Sequence, residues 1–233
     1  VSLFSGVNQL KDITISKSYS SICGYTDNDL QEHFSEYLAG SDPEEVKKWY
    51  NGYSWTGLAS VYNPYDILLF LSEDKVFRNY WFETGTPTFL IKLMRKRFTY
   101  KLEEIEVSNL ILESFRLEKF EELDLSSLLL QTGYLTIKKI TPLETFILDY
   151  PNKEVRQAFG QFLLSEYTHT PVTVPYGPNI LEALSQNNLE NVIKIINDLI
   201  QSVPDQNYVK DQEKFFYAII HLIFTMVGSD PRT

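Results

Sequence analysis

One stretch of the chain reads as a β-hairpin, and it lies among segments that open with helix-start signals and continue at helical spacing. Tyr134-Leu-Thr-Ile-Lys-Lys-Ile140 is rich in β-branched residues, Thr141-Pro-Leu-Glu144 reads as a turn, and Thr145-Phe-Ile-Leu-Asp-Tyr150 reads as the partner strand. The rest punctuates helices. Thr26-Asp-Asn-Asp29 caps a run carrying Leu30, Phe34, Tyr37 and Leu38. Ser41-Asp-Pro-Glu-Glu45 puts a proline and two acids in a first turn, where the helix dipole favours negative charge, and Asn51-Gly52 ends that helix after Tyr50. A third helix follows Asn63-Pro64 through Ile67, Leu68, Phe70 and Leu71. A fourth opens at Thr86-Pro87 and runs through Phe89, Leu90, Ile91, Leu93 and Met94 to Arg97.

A short apolar helix over Leu123–Leu130, closed by Thr132-Gly133, leads into the hairpin. Helix, helix, then hairpin is a winged-helix outline. Pro151-Asn152 starts a further helix through Val155, Phe159, Phe162, Leu163 and Tyr167. Beyond it, three prolines and a glycine mark residues 169–178 as a linker. Asn179–Gln186 and Leu189–Val203 then form a helical hairpin, and a last helix starts near Asp211. The expected fold is therefore mainly α, with a multi-helical body and a winged-helix-like unit over 1–168, followed by a small helical segment over 179–233.

The 233 residues include 31 acids against 21 bases, for a net charge of −10, which opposes broad affinity for nucleic acid or anionic lipid. A single cysteine, Cys23, excludes an internal disulfide framework, and His33, His169 and His221 lack zinc-ligand spacing. A cytoplasmic location is expected. No Gly-Lys dipeptide occurs, so the chain lacks a phosphate-cradling P-loop and is not expected to hydrolyse ATP. Asp42 with Glu45-Val46-Lys47 matches a nuclease-like spacing, but nuclease acids stand on adjacent strands, whereas these begin a helix behind Pro43. Capping is the preferred account.

Trp49–Trp55 and Asn79–Glu83 are aromatic clusters that either stack bases or pack on each other, and packing is preferred. Five cations (Lys92, Arg95, Lys96, Arg97 and Lys101) fall within ten positions, whereas 103–124 holds eight acids and two bases, so the two segments are expected to face each other. Arg95, Lys96 and Arg97, extended by the wing residues Lys138 and Lys139, are the candidate nucleic-acid contacts. The helix where a recognition helix would lie is apolar and acid-flanked, which favours packing over DNA reading. Phe215–Val227 is thirteen residues without a formal charge, too short for a membrane span of about 20. Its apolar residues surround the helix, so either a homodimer contact or an exposed patch around Phe216 and Ile220 is expected.

Several segments together resemble one family. Ser2-Leu-Phe-Ser-Gly-Val-Asn-Gln-Leu-Lys-Asp-Ile13, Cys23-Gly-Tyr-Thr26, Lys48-Trp-Tyr-Asn-Gly-Tyr-Ser54, Tyr62-Asn-Pro64, Asn79-Tyr-Trp-Phe-Glu-Thr-Gly-Thr-Pro87 and Asp149-Tyr-Pro-Asn-Lys-Glu-Val155 resemble the bacterial AAA-ATPase-like family. In that family a P-loop ATPase half precedes these segments and a PD-(D/E)XK nuclease-like domain follows them. The resemblance implies that the chain is a middle portion of a longer protein, consistent with its start at Val1 and the strand-like Ser2–Phe4. It implies an ATPase-core end over 1–13, a helical lid over 26–100, an overlapping winged-helix-like unit over 85–168 and a lead-in to the nuclease over 178–233. ATP and Mg²⁺ are implied for the intact protein, with none held by this chain, and its partners would be its own upstream ATPase and downstream nuclease-like domains. Glu213 stands where the family's first nuclease helix bears a glutamate, although Ala218 replaces the histidine that commonly follows the tyrosine. The implied role is relay of nucleotide state to the nuclease-like domain. The alternative, from the aromatics and the acidic surface, is a non-enzymatic protein-interaction module.

Overall fold

The computed structural model describes residues 13–83, 88–97, 99–108, 124–171, 173–203 and 212–228. It is mainly α, with one small antiparallel sheet. In order, the elements are α1 (Asp27–His33), α2 (Ser35–Leu38), α3 (Pro43–Tyr50), α4 (Pro64–Ser72), α5 (Tyr80–Glu83), α6 (Thr88–Arg97), β1 (Ile105–Val107), α7 (Leu125–Gln131), β2 (Thr136–Ile140), β3 (Phe146–Asp149), α8 (Lys153–Thr168), α9 (Tyr176–Ser185), α10 (Leu189–Gln201) and α11 (Gln212–Met226), preceded by a 3-10 turn at Lys17–Tyr19. The expected strand at Ser2–Phe4, the helix opening at Thr86-Pro87, the start near Asp211 and most of the acidic run 103–124 lie outside the described residues.

The start signals work through side-chain caps. Thr26 and Asp29 form a reciprocal capping box, Asp42 accepts from the Glu44 amide, Asn63 from the Tyr65 amide, and Asn152 from the Val155 amide. Asp42 is thus a cap, and Glu45 receives Lys153 at 2.7 Å, so neither belongs to a nuclease-like metal set.

The hairpin β2–β3 forms as expected, and the strand β1 joins it against β3, giving the order β1-β3-β2. With α6 before β1 and α7 before β2, this is the winged-helix arrangement anticipated from the hairpin, completed by a third strand. Lys138 and Lys139 lie on β2, an edge strand of this sheet.

Buried apolar residues fall into two clusters. One joins Leu30, Val46, Tyr50, Tyr62, Ile67, Phe70 and Tyr80 from α1 to α5. The larger runs from Leu90 on α6 through the sheet and α8 to Ile180, Leu199 and Met226 on α9, α10 and α11. The core therefore divides between α5 and α6, whereas the division expected from the Pro-rich segment 169–178 falls inside one continuous cluster. That segment is also shorter than expected, because α9 begins at Tyr176 with Pro178 in its first turn, where a missing N–H is harmless. α11 lies along α8, where Gly160 leaves room for Met226. Phe216 and Ile220 are half-buried against the larger core, so the exposed patch expected around them is covered largely by the chain itself.

The two clusters meet across the loop 51–57. Ser54 receives a hydrogen bond from Ile137 and exchanges two with Thr136, whose Oγ1 accepts from the Ser54 amide at 2.6 Å and donates to the Ser54 carbonyl at 2.9 Å. Gly52 has φ +117°, and a Cβ there would overlap the Pro151 carbonyl. Only glycine fits both demands. Replacing Gly52 with alanine is expected to cost about 3 kcal/mol or more, from backbone strain and overlap together. Gly40→Ala, at φ +85° with open space around it, should cost only about 1 kcal/mol. Urea unfolding of the two variants measures the difference; equal costs would show that the 51–57 loop does not press on Pro151.

Candidate functional site

The feature that local capping and packing do not explain is a pair of carboxylates enclosed where the two clusters meet. Asp66 comes from the first turn of α4 and Glu154 from the first turn of α8, and both are 0% exposed. Each position is a common one for an acid on an isolated helix, because it faces the positive end of the dipole. Here α3 and α5 pack onto α8, and α4 packs against α5, which brings the two acids together out of water.

Glu154 accepts the Trp81 backbone N–H at 2.8 Å, which ties the start of α5 to α8. Asp66 faces the Glu154 side chain, the Trp81 amide and Asn63, yet neither of its oxygens accepts a well-formed hydrogen bond from a described residue. Burial pushes its carboxyl above the usual aspartate range, and the nearby hydrogen-bonding groups offset only part of that. Tyr53 completes the cluster beside Asn63 and Asn152. Burial pushes its hydroxyl well up, and Asp66 and Glu154 push it further, so it stays a donor. Two like charges enclosed together repel strongly, so the favourable state is one in which one carboxyl of the pair is protonated.

The family-like segments meet around this pair. Tyr50 bridges the Arg78 backbone, accepting from its N–H at 3.1 Å and donating to its carbonyl at 3.2 Å. Trp49 stacks on Phe77 with 5.6 Å between ring centroids, and Lys153 sits 4.7 Å above the Trp49 ring. Trp81 packs on Tyr134, which stacks on Phe159. Trp49, Tyr50, Tyr53, Tyr80 and Trp81 therefore serve the interior, and Tyr150, Asn152 and Glu154 supply core, cap and carboxylate in turn.

A second buried network lies in the larger core. Glu103, 8% exposed, accepts Thr225 Oγ1 at 2.8 Å and contacts His221 Nε2 at 3.2 Å. A carboxylate only accepts, so Nε2 carries the proton. Burial pushes Glu103 upward, but hydrogen bonds from His221 and Thr225 outweigh it and hold the carboxyl at about 2. This network fastens α11 to the segment leading into β1.

The candidate residues read from sequence lie elsewhere. Glu213 is exposed in the first turn of α11, while Ala218 is fully buried. Arg95 reaches Glu166 Oε1 at 3.1 Å and His169 Nε2 at 2.8 Å. Lys138 has an exposed stem, but its ammonium donates to the Pro151 carbonyl at 3.0 Å, and burial lowers its pKa. Lys96, Arg97 and Lys139 are exposed. Arg95 and Lys138 are thus engaged within the fold. Neither Asp66 nor Glu154 was singled out by sequence reasoning, and the available signal was that both sit within or beside the family-like segments. Among the described residues, no group of three or more His, Cys, Asp or Glu residues is placed to hold a metal, and no helix is long and apolar enough to cross a membrane.

The two networks make opposite pH predictions. Asp66 has a folded pKa above its unfolded value, so its stabilisation is full below the unfolded value and is lost as pH rises through the folded one. Glu103 is depressed from 4.5 to about 2, so its contribution, roughly 2–3 kcal/mol, is present above pH 4.5 and lost as pH falls toward 2. Chemical unfolding across pH should show that Asp66→Asn removes the loss on the alkaline side and Glu103→Gln the loss on the acid side. Unchanged pH profiles would refute both assignments.

No family model matches the chain, and no solved structure matches it. A protein described as "Uncharacterized protein in vnfD 5'region", from Azotobacter chroococcum mcd 1, is 37% identical over 242 residues, covering 100% of this chain and 46% of that protein. The chain therefore spans about half the length of this relative, and the likeness extends along the whole of the chain.

Proposed function

We propose that the chain is the lid, winged-helix and connector portion of a cytoplasmic bacterial AAA-ATPase-like protein. In this reading it relays the nucleotide state of an upstream ATPase half to a downstream nuclease-like domain. The observation that carries the reading is the convergence of the family-like segments 48–54, 62–64, 79–81 and 149–155 on the joint around Asp66 and Glu154. Segments separated by up to a hundred positions would have no reason to meet there if each served only its own helix. A relay needs an element with two arrangements, and a joint that encloses two carboxyl groups is held less firmly than an apolar one. The second reading, a protein-interaction module, draws its support from the apolar groove on α1 to α3 described below.

Hydrogen exchange on the intact protein tests the relay. Addition of ATP and Mg²⁺ is expected to change protection at 50–57 and 150–155 as well as in the ATPase half. The isolated chain should take up no ATP by calorimetry. Nucleotide binding that leaves both joint segments unchanged, or saturable micromolar binding to the isolated chain, would overturn this function.

A further inference from the structure

We propose that the groove between α1, α2 and α3 docks an amphipathic helix of a partner protein that carries lysine or arginine beside its apolar stripe. The inference stands on the groove alone and does not require the nucleotide relay.

The groove encloses about 470 Å³ and is lined by Leu30, Gln31, Leu38, Pro43, Val46 and Tyr62. Leu30, Val46 and Tyr62 form a buried floor, while Leu38 is half-buried and Pro43 exposed. This shape follows from local sequence. The chain breaks at Phe34 between two short helices and again at Ala39-Gly40, so α1 and α2 stand away from α3 rather than closing over it. Such a volume accepts two or three apolar side chains at i, i+3 and i+4, the pattern of a helix seated in a groove.

Charge selects the occupant. Between residues 26 and 46 there are seven acids and no lysine or arginine. Asp27, on the groove lining, is answered by Lys47 at 2.6 Å, and Glu45 by Lys153 at 2.7 Å. Glu32, Glu36, Asp42 and Glu44 are exposed beside lining residues, with no ion-pair partner among the described residues, and they outnumber the one further lysine at the edge, Lys75, which donates to the Ala39 carbonyl at 2.6 Å. Juxtaposed like charges oppose a second copy of the same face and anionic nucleic acid or lipid, whereas a basic-flanked helix gains both apolar burial and complementary charge.

Fluorescence anisotropy with three labelled helical peptides decides the matter. One carries a leucine stripe flanked by lysines, the second the same stripe flanked by glutamates, and the third the lysines with alanine in place of leucine. The leucine–lysine peptide is expected to bind the chain at least about tenfold more tightly than either other peptide. Gln31→Arg, an exposed substitution that places a cation in the groove, should weaken it by about tenfold while leaving the circular dichroism spectrum unchanged. Leu38→Gln should act in the same direction. Equal binding of the alanine–lysine peptide would reduce the effect to net charge and overturn the proposal, as would an unchanged affinity in Gln31→Arg. A wild-type dimer in sedimentation that Gln31→Arg makes monomeric would also overturn it, by assigning the groove to a second copy.

Discussion

The enclosure of Asp66 against Glu154 is the contact on which the relation between the two hydrophobic clusters depends. Each carboxylate belongs to a different cluster's framework, α4 on one side and α8 on the other, and both are removed from water. Uncompensated, such a pair drives the clusters apart. The surroundings limit that cost: Glu154 takes the Trp81 amide, and the Tyr53 hydroxyl stays protonated and adds no third charge. The joint is thus held by apolar contact at its edges and by a proton-dependent polar centre.

That arrangement explains why so many unlike residues occur in the family-like segments. In 149–155, Tyr150 fills the core, the Pro151 carbonyl accepts Lys138 and abuts Gly52, Asn152 caps α8, Lys153 reaches α3, and Glu154 enters the joint. In 48–54, Trp49 lies under Lys153, Tyr50 holds the Arg78 backbone, Gly52 gives way to Pro151, and Ser54 docks on β2. The two segments fit each other residue by residue. By contrast, the Glu103–His221–Thr225 network works inside one cluster, where it orders α11 rather than joining separate bodies.

Local physics was readable from sequence and long-range packing was not. Asp42, Asn63 and Asn152 announce their helices because a cap acts within three residues, and the hairpin announces itself by β-branched residues on either side of a turn. Strand β1 gives no such signal: three residues in an acidic stretch pair with β3 about forty positions later. The Pro-rich segment looked like a boundary because proline disfavours helix interiors, yet Pro178 sits in the first turn of α9, and the fit of Met226 against Gly160 carries the core past it. Asp66 was hidden for a related reason. An acid in a first turn is ordinary, and only the packing of α4 on α5, which in turn packs on α8, turns it into a buried charge.

The central claim is that Asp66 and Glu154 act as one coupled pair that holds a proton, and a double-mutant cycle measures it most directly. Asp66→Asn, Glu154→Gln and the double variant would be compared by chemical unfolding at mildly acidic and mildly alkaline pH. Either single substitution relieves the repulsion, so at alkaline pH the second should add little, and the interaction energy should reach about 1 kcal/mol or more. At acidic pH, where the pair holds its proton, the interaction energy should shrink. Effects that simply add at both pH values would show that the two carboxylates are independent and that the joint is not held in this way.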